Sequence, residues 1–297
     1  MKKIDLHTHL TLYPDLVPTR LNGSRFLCTE EQLEVHDKLN VELGVILPLI
    51  APEAQWMTMS NEEAKIISDR HPDRFTWFCN VDPRQGSYRS DVDLGYIISH
   101  YKELGAKGLG ELTTTLYADD PMMDNLFSHC EQLDMPVLIH IAPQVGGCYG
   151  IVDELGLPRI EKMLKKHPDM KLIGHSAAFW SEISDGLEQD KRNGYPKGKV
   201  KEGNLPRLLR DNGNLYCDLS AGSGSNAMMR DPEYAAQFLA EFADRIFYGA
   251  DVCSVSNTFQ YTFDAFLTKM VADGMLTQEN YEKIIRKNAA KLLGLPE

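Results

Sequence analysis

Five side chains in this sequence, His7, His9, His140, His175 and Asp251, are of the types that hold a divalent metal ion and turn bound water into a nucleophile. His7 and His9 lie in Ile4-Asp5-Leu6-His7-Thr8-His9, where strand alternation puts both imidazoles on one face, spaced to share an ion. The plainer alternative for that pair is two unrelated polar residues at a strand end. His140 ends Met135-Pro-Val-Leu-Ile-His140, and His175 ends Met170-Lys-Leu-Ile-Gly-His175, so each emerges where a buried strand stops. A lone histidine at such a rim is more often a packed residue than a ligand. Three separate strands ending in histidine at one level is a pattern that chance explains poorly. Asp251 closes Arg245-Ile-Phe-Tyr-Gly-Ala-Asp251. Read alone it is a helix N-cap; beside the histidines it becomes a metal ligand and proton acceptor. The other five histidines (His36, His71, His100, His129, His167) fall in helical segments and are expected to face solvent.

Positioning these groups requires strands that end together. Apolar runs at Lys3–His7, Gly44–Pro48, Phe75–Val81, Ala106–Leu112, Val137–His140, Lys171–His175, Leu215–Asp218 and Ile246–Ala250 read as strands covered on both faces. Amphipathic stretches at Glu30–Leu43, Asn61–Arg70, Asp91–Leu104, Pro121–Leu133, Pro158–Lys166, Leu205–Arg210 and Pro232–Ala243 separate them. This alternation predicts parallel βαβ units, and about eight strands predict an α/β chain folded as a (β/α)8 TIM barrel. Two helices near Phe259–Ala272 and Gln278–Leu293 follow. No linker divides residues 1–297, so a single barrel domain is expected. Thr11–Thr29 and Ala177–Gly203 follow strand ends, which makes them lids over the catalytic face. In and near these loops, Arg20, Arg25, Trp56, Trp180, Tyr195, Asn226 and Arg230 are the candidates to shape a substrate pocket; arginine there would clamp a carboxylate. A solvated surface role is the simpler reading of each.

Composition narrows the partners. Of the 297 residues, 43% are hydrophobic and 25% charged, and the net charge of −12 disfavours nucleic acid and anionic membranes. The six cysteines are scattered with no CxxC pair, as expected of buried thiols in a reducing compartment. The apolar stretch of a signal peptide is missing after Met1-Lys2-Lys3, and no run is long enough to span a bilayer. A cytoplasmic protein acting on a small molecule is the expectation.

The ordered set His7-x-His9, His140, His175 and Asp251 resembles the amidohydrolase superfamily. In particular it is similar to the amidohydrolase-related branch that includes aminocarboxymuconate-semialdehyde decarboxylase and the resorcylate decarboxylases. Gly174-His175-Ser176-Ala-Ala-Phe-Trp180, Asn214-Leu-Tyr-Cys-Asp-Leu-Ser220-Ala-Gly-Ser and Ile284-Ile-Arg-Lys-Asn288-Ala-Ala-Lys-Leu-Leu293 also resemble that branch. The resemblance covers essentially the whole chain and implies the same barrel, with the five residues as metal ligands. It also implies a homodimer. Many relatives bridge two metals through a carboxylated lysine or a glutamate on the fourth strand. Here Ala106-Lys107-Gly-Leu-Gly110-Glu111-Leu offers both. Glu111 resembles the ligating glutamate, whereas Lys107 reads as packing or a surface ion pair. One ion is implied, zinc foremost, and two if Glu111 ligates.

The chemistry that follows is hydrolysis. Asp251 accepts a proton from metal-activated water, protonated His175 and the metal stabilise the oxyanion, and Asp251 protonates the leaving group. The same ligands serve non-oxidative decarboxylation, and Glu111 tips the balance to a hydrolase acting on a small carboxylate-bearing compound. A barrel keeping metal without catalysis is disfavoured, because structural zinc sites are usually closed and cysteine-rich.

Overall fold

Lys3–Thr8 form strand β1, six residues buried along their whole length. Around it, a computed structural model, which describes residues 1–20, 23–53 and 58–296, shows an all-parallel barrel. Trp56 lies outside the described residues. The other barrel strands are β2 (Val41–Ile46), β3 (Phe75–Trp77), β4 (Leu109–Leu112), β5 (Val137–Ala142), β7 (Leu172–His175), β8 (Leu215–Asp218) and β9 (Ile246–Phe247), and a short β6 (Ile151–Val152) pairs beside the end of β5. Regular pairing runs β1-β2-β3 and β4-β5-β7-β8-β9. A few backbone bonds close the two seams: Lys107 N–H to Trp77 O (2.9 Å), Cys79 N–H to Gly108 O (2.9 Å) and Gly110 N–H to Cys79 O (2.8 Å) at one, Leu6 N–H to Tyr248 O (3.0 Å) and Asp251 N–H to His7 O (2.9 Å) at the other.

Inside the cylinder Ile4, Leu6, Val45, Leu47, Phe78, Leu138, Ile173 and Phe247 form one cluster. Helix α12 (Asn288–Leu293) adds Ala289, Ala290 and Leu293 to it, so that the chain's last helix plugs the N-terminal end. A larger apolar shell lies between strands and outer helices. The opposite, C-terminal mouth is thereby left to polar groups. No helix among the described residues is long and apolar enough to cross a membrane.

Some boundaries differ from expectation for identifiable reasons. Helix α1 (Thr29–Leu39) ends where it does because Asn40 takes a left-handed cap conformation (φ 57°), and Val41–Leu43 join β2 instead of the helix. Helix α8 (Ala221–Met229) was not anticipated in its Gly- and Ser-rich segment; tertiary burial of Ala227 and Met228 overrides the poor propensity. His36 does not face solvent: it is fully buried, with Nε2 3.3 Å from Asp5 Oδ2. His167 is buried too, between Glu131 and Asp124.

Candidate metal centre

His7 enters the barrel through an irregularity. Between the pairs Asp5↔Gly44 and Thr8↔Ile46, β1 spends one residue more than β2, and both Leu6 and His7 face inward. His140 and His175 need no such device, since they continue the inward series Leu138, His140 and Ile173, His175, and pair side by side in β5 and β7. Glu111 is turned in by a second slip, between Leu109↔Val137 and Leu112↔Ile139. Asn80 fixes the same strand end, donating from Nδ2 to Glu111 O and Pro48 O (2.6 Å each).

These groups converge. His7 Nε2 and His9 Nε2 are 3.0 Å apart, and Glu111 Oε2 lies 3.2 Å from His9 Nε2 and 3.7 Å from His7 Nε2. Asp251 Oδ1 is 3.9 Å from His7 Nε2. The rings of His7 and His175 are 4.5 Å apart, and those of His140 and His175 5.6 Å. Three overlapping triads have ligand atoms within one coordination sphere: His7-His9-Glu111, His7-His175-Asp218 and Glu111-His140-His175.

Proton placement shows what the cluster lacks. His9 Nδ1 lies 2.9 Å from Leu47 O, which can only accept, so the proton is on Nδ1. His7 Nδ1 lies 2.6 Å from the Asp218 carboxylate, so its proton is on Nδ1 as well. The two Nε2 atoms therefore face each other in an arrangement that calls for a cation between them, a metal ion or, without one, a second proton on His7. Glu111 Oε1 is buried with no hydrogen-bond partner among the described residues. The donor set thus fits a divalent metal.

Electrostatics say the same. Burial opposes charge on His7, yet Asp218, Asp251 and Glu111 overcome it and raise its pKa well above the usual imidazole value. Glu111 is held well below the carboxylate range by His7 and His9 in spite of burial. Asp218 is lowered too, against its burial, by His7. Burial raises Asp251. His175 is pushed down to about 3 by burial and by His7, which favours the neutral form that can ligate a metal. Its Nδ1 meets Ser220 Oγ at 2.9 Å.

Asp218 was missed as a site residue. It closes β8 at the level of the histidines, and that strand-end position was the available signal. It holds His7 through Oδ2 and accepts from Ser220 N–H and Oγ–H (2.8 Å each). Gly249 leaves room for it: a Cβ there would sit 2.3 Å from Asp218 Oδ1 and 3.1 Å from His7 Cβ. Gly249→Ala is expected to displace Asp218 and destabilise the fold by about 1–3 kcal/mol, as overpacking does. Denaturant melts together with metal analysis check this; a variant with unchanged stability and metal content would refute it.

A family profile described as amidohydrolase matches residues 4–295. The chain belongs to the amidohydrolase family. Solved structures share its fold at low identity. The 5-carboxyvanillate decarboxylase of Sphingomonas paucimobilis is 16% identical with TM-score 0.64, covering 99% of each chain. A probable 2-pyrone-4,6-dicarboxylic acid hydrolase from Acinetobacter baumannii with citric acid bound is 14% identical with TM-score 0.63, over 99% of this chain and 100% of that one. A dihydroxybenzoic acid decarboxylase from Polaromonas with bound manganese is 17% identical with TM-score 0.58, over 99% and 97%. No curated protein matches the chain significantly.

In this chain the cluster opens into a cleft of two lobes that meet at His175, Asp251, Tyr149 and Tyr195. One, of about 210 Å³, is lined by Arg20, Phe26, Leu49, Cys253, Asn257 and Phe259. The other, of about 350 Å³, is lined by Cys148, Ser176, Asn193 and Ser223. Of the expected pocket residues, Arg20 and Tyr195 are there. Arg20 lies over the Phe26 ring, its Nη2 3.6 Å from Cys253 Sγ, with no carboxylate in ion-pair reach among the described residues. Trp56 falls outside the described residues, and the other four lie elsewhere. Arg25 is occupied by a two-pronged pair with Glu31 (2.8 Å each). Trp180 is buried behind the site and donates Nε1–H to Asp218 O (2.9 Å). Asn226 is half-buried on α8, and Arg230, at that helix's end, donates to Ser184 Oγ; neither lines the cleft. Lys107 is exposed, in line with a surface role.

Proposed function

We propose that this protein is a metal-dependent hydrolase that acts on a small carboxylate-bearing substrate. The observation that carries the reading is Glu111, buried where the His7-His9 pair meets the His140-His175 pair and belonging to a possible ligand triad with each. A carboxylate so placed suits two adjacent ions sharing one ligand. Charge supports this count. With one divalent ion, the three carboxylates Glu111, Asp218 and Asp251 leave one negative charge in excess; with two ions, one positive charge remains, the sign an anionic substrate needs.

His7, His9, Glu111, His140, His175 and Asp251 would hold the metal, and zinc suits this imidazole-rich set. A divalent ion there supplies Lewis acidity, polarising a carbonyl oxygen and lowering the pKa of water towards neutrality. Asp251 opens onto the cleft and takes the proton of the attacking water, then returns it to the leaving atom. Asp218 orients His7 directly, and Ser220 orients His175. Arg20 binds the substrate carboxylate, while Phe26, Leu49 and Phe259 exclude water.

The test is turnover of carboxylate-bearing lactones, esters and amides in ¹⁸O-labelled water by the zinc-loaded chain. The product is expected to carry one solvent oxygen, with no CO2 released. Release of CO2 with a solvent hydrogen left on carbon would replace hydrolysis by decarboxylation on the same ligands.

A further inference from the structure

The loop after β7 is tied down by polar contacts, in which Gln189 donates to Pro143 O and accepts from Leu155 N–H and Val200 N–H donates to Asp231, and it carries one buried polar peg. Its neck is closed by Asp185 N–H to Lys201 O (2.8 Å), Gly203 N–H to Ile183 O (2.9 Å) and the bridge Ser184↔Glu202. From there residues 185–200 loop out over the mouth, and in that stretch Arg192 is the one buried residue. Apart from Val200 at its base, such a loop has no apolar packing to hold its shape. Arg192 is fully buried, its Nε 2.9 Å from Glu182 Oε1 and its Nη1 donating to Asp153 O (2.8 Å). Glu182 Oε1 also accepts Gly156 N–H (3.0 Å). One guanidinium therefore fastens the loop to the end of helix α6 (Ala177–Ser181), which directly follows His175, and to the segment after β6.

What this fastening positions is Tyr195. Three residues past the peg, its ring lines both lobes of the cleft, and its hydroxyl rests on the first turn of α8, where a Cβ at Gly222 would sit 2.9 Å away. We infer that Arg192 is a positioning residue for substrate binding: through Glu182 and Asp153 it locks the second lid so that Tyr195 forms the wall between the two lobes above Asp251. The kinetic part of this inference rests on the hydrolytic reading; the structural part does not. An arginine suits the task because its rigid guanidinium reaches Glu182 through Nε and Asp153 O through Nη1 at the same time, from two nitrogens held apart, where lysine has a single one.

The test uses the zinc-loaded full chain and two variants. Arg192→Met removes the peg, and Arg192→Met/Glu182→Met also removes the buried charge left behind, which secures a folded protein. In both, amide exchange in peptides covering 186–201 is expected to accelerate by about tenfold or more, with exchange in the β1–β5 region and zinc content unchanged. With a hydrolysed substrate, KM rises by about tenfold and kcat stays within about threefold, the signature of lost binding rather than lost chemistry. Tyr195→Ala reproduces the KM rise without the change in exchange, and Arg192→Lys falls between. Unchanged exchange at 186–201 in the double variant, or faster exchange spread evenly over the barrel, would overturn the inference. Exchange confined to 186–201 in a chain that hydrolyses nothing would sink the hydrolytic reading and leave this one standing.

Discussion

Asp251→Asn is expected to lower kcat by about 10²–10⁴-fold, the contribution typical of a positioned general acid–base group. That is roughly 3–5 kcal/mol of barrier. The substitution isolates proton transfer because everything else is kept. Asp251 sits at φ 49°, a left-handed conformation that asparagine also adopts readily. Its backbone N–H donates to His7 O (2.9 Å), and the variant retains that bond. An amide oxygen can still face the ion, yet it cannot take up a proton at any working pH. Metal content is therefore expected to stay near that of the parent chain while turnover collapses. Plasma emission spectrometry on the purified variant, alongside steady-state kinetics, gives both numbers. Full activity with full metal would remove Asp251 from the chemistry; loss of metal would reduce it to a ligand.

The histidines were legible because each closes a run of apolar strand residues, and alternation alone aims His140 and His175 inward. Their neighbours were not. Period two would send Leu109 and Glu111 to the same face, but the slip in β4 points Leu109 at the helices and Glu111 into the barrel. Only likeness to related strand ends marked it out. The β1 slip does the same for His7, and no residue type announces either one. Pocket residues were least legible. Arg25 and Arg20 share the first lid and a side-chain type, and what separates them is Glu31, six positions from Arg25, which occupies its guanidinium. Trp180 looked like a lid residue because α6 begins straight after His175. Instead the helix turns the indole into the core, where it holds Asp218 from behind.

Stripping the metal is expected to lower Tm by roughly 10 °C near neutral pH. A ligand present at a thousandfold excess over Kd adds about 4 kcal/mol of stability, and each kcal/mol moves Tm by about 2–4 °C in chains of this size class. The loss should grow with pH, and the sign follows from His7. Its folded pKa is raised well above the ordinary value by Asp218, Asp251 and Glu111, which outweigh its burial. Without metal, a proton on Nε2 takes the cation's place between His7 and His9. A raised pKa means that this proton's contribution is complete below the unfolded value, about 6.5, and is lost as pH climbs through the folded one. Glu111 and Asp218, both lowered, lose their contributions only in acid, outside that window. Bound metal replaces the proton and removes the dependence. Thermal melts with and without chelator at pH 6.5 and pH 9 should show the gap between the two forms widening at the higher pH. A gap that narrows, or none at either pH, would mean that the facing nitrogens and buried carboxylates are balanced by something other than a metal ion.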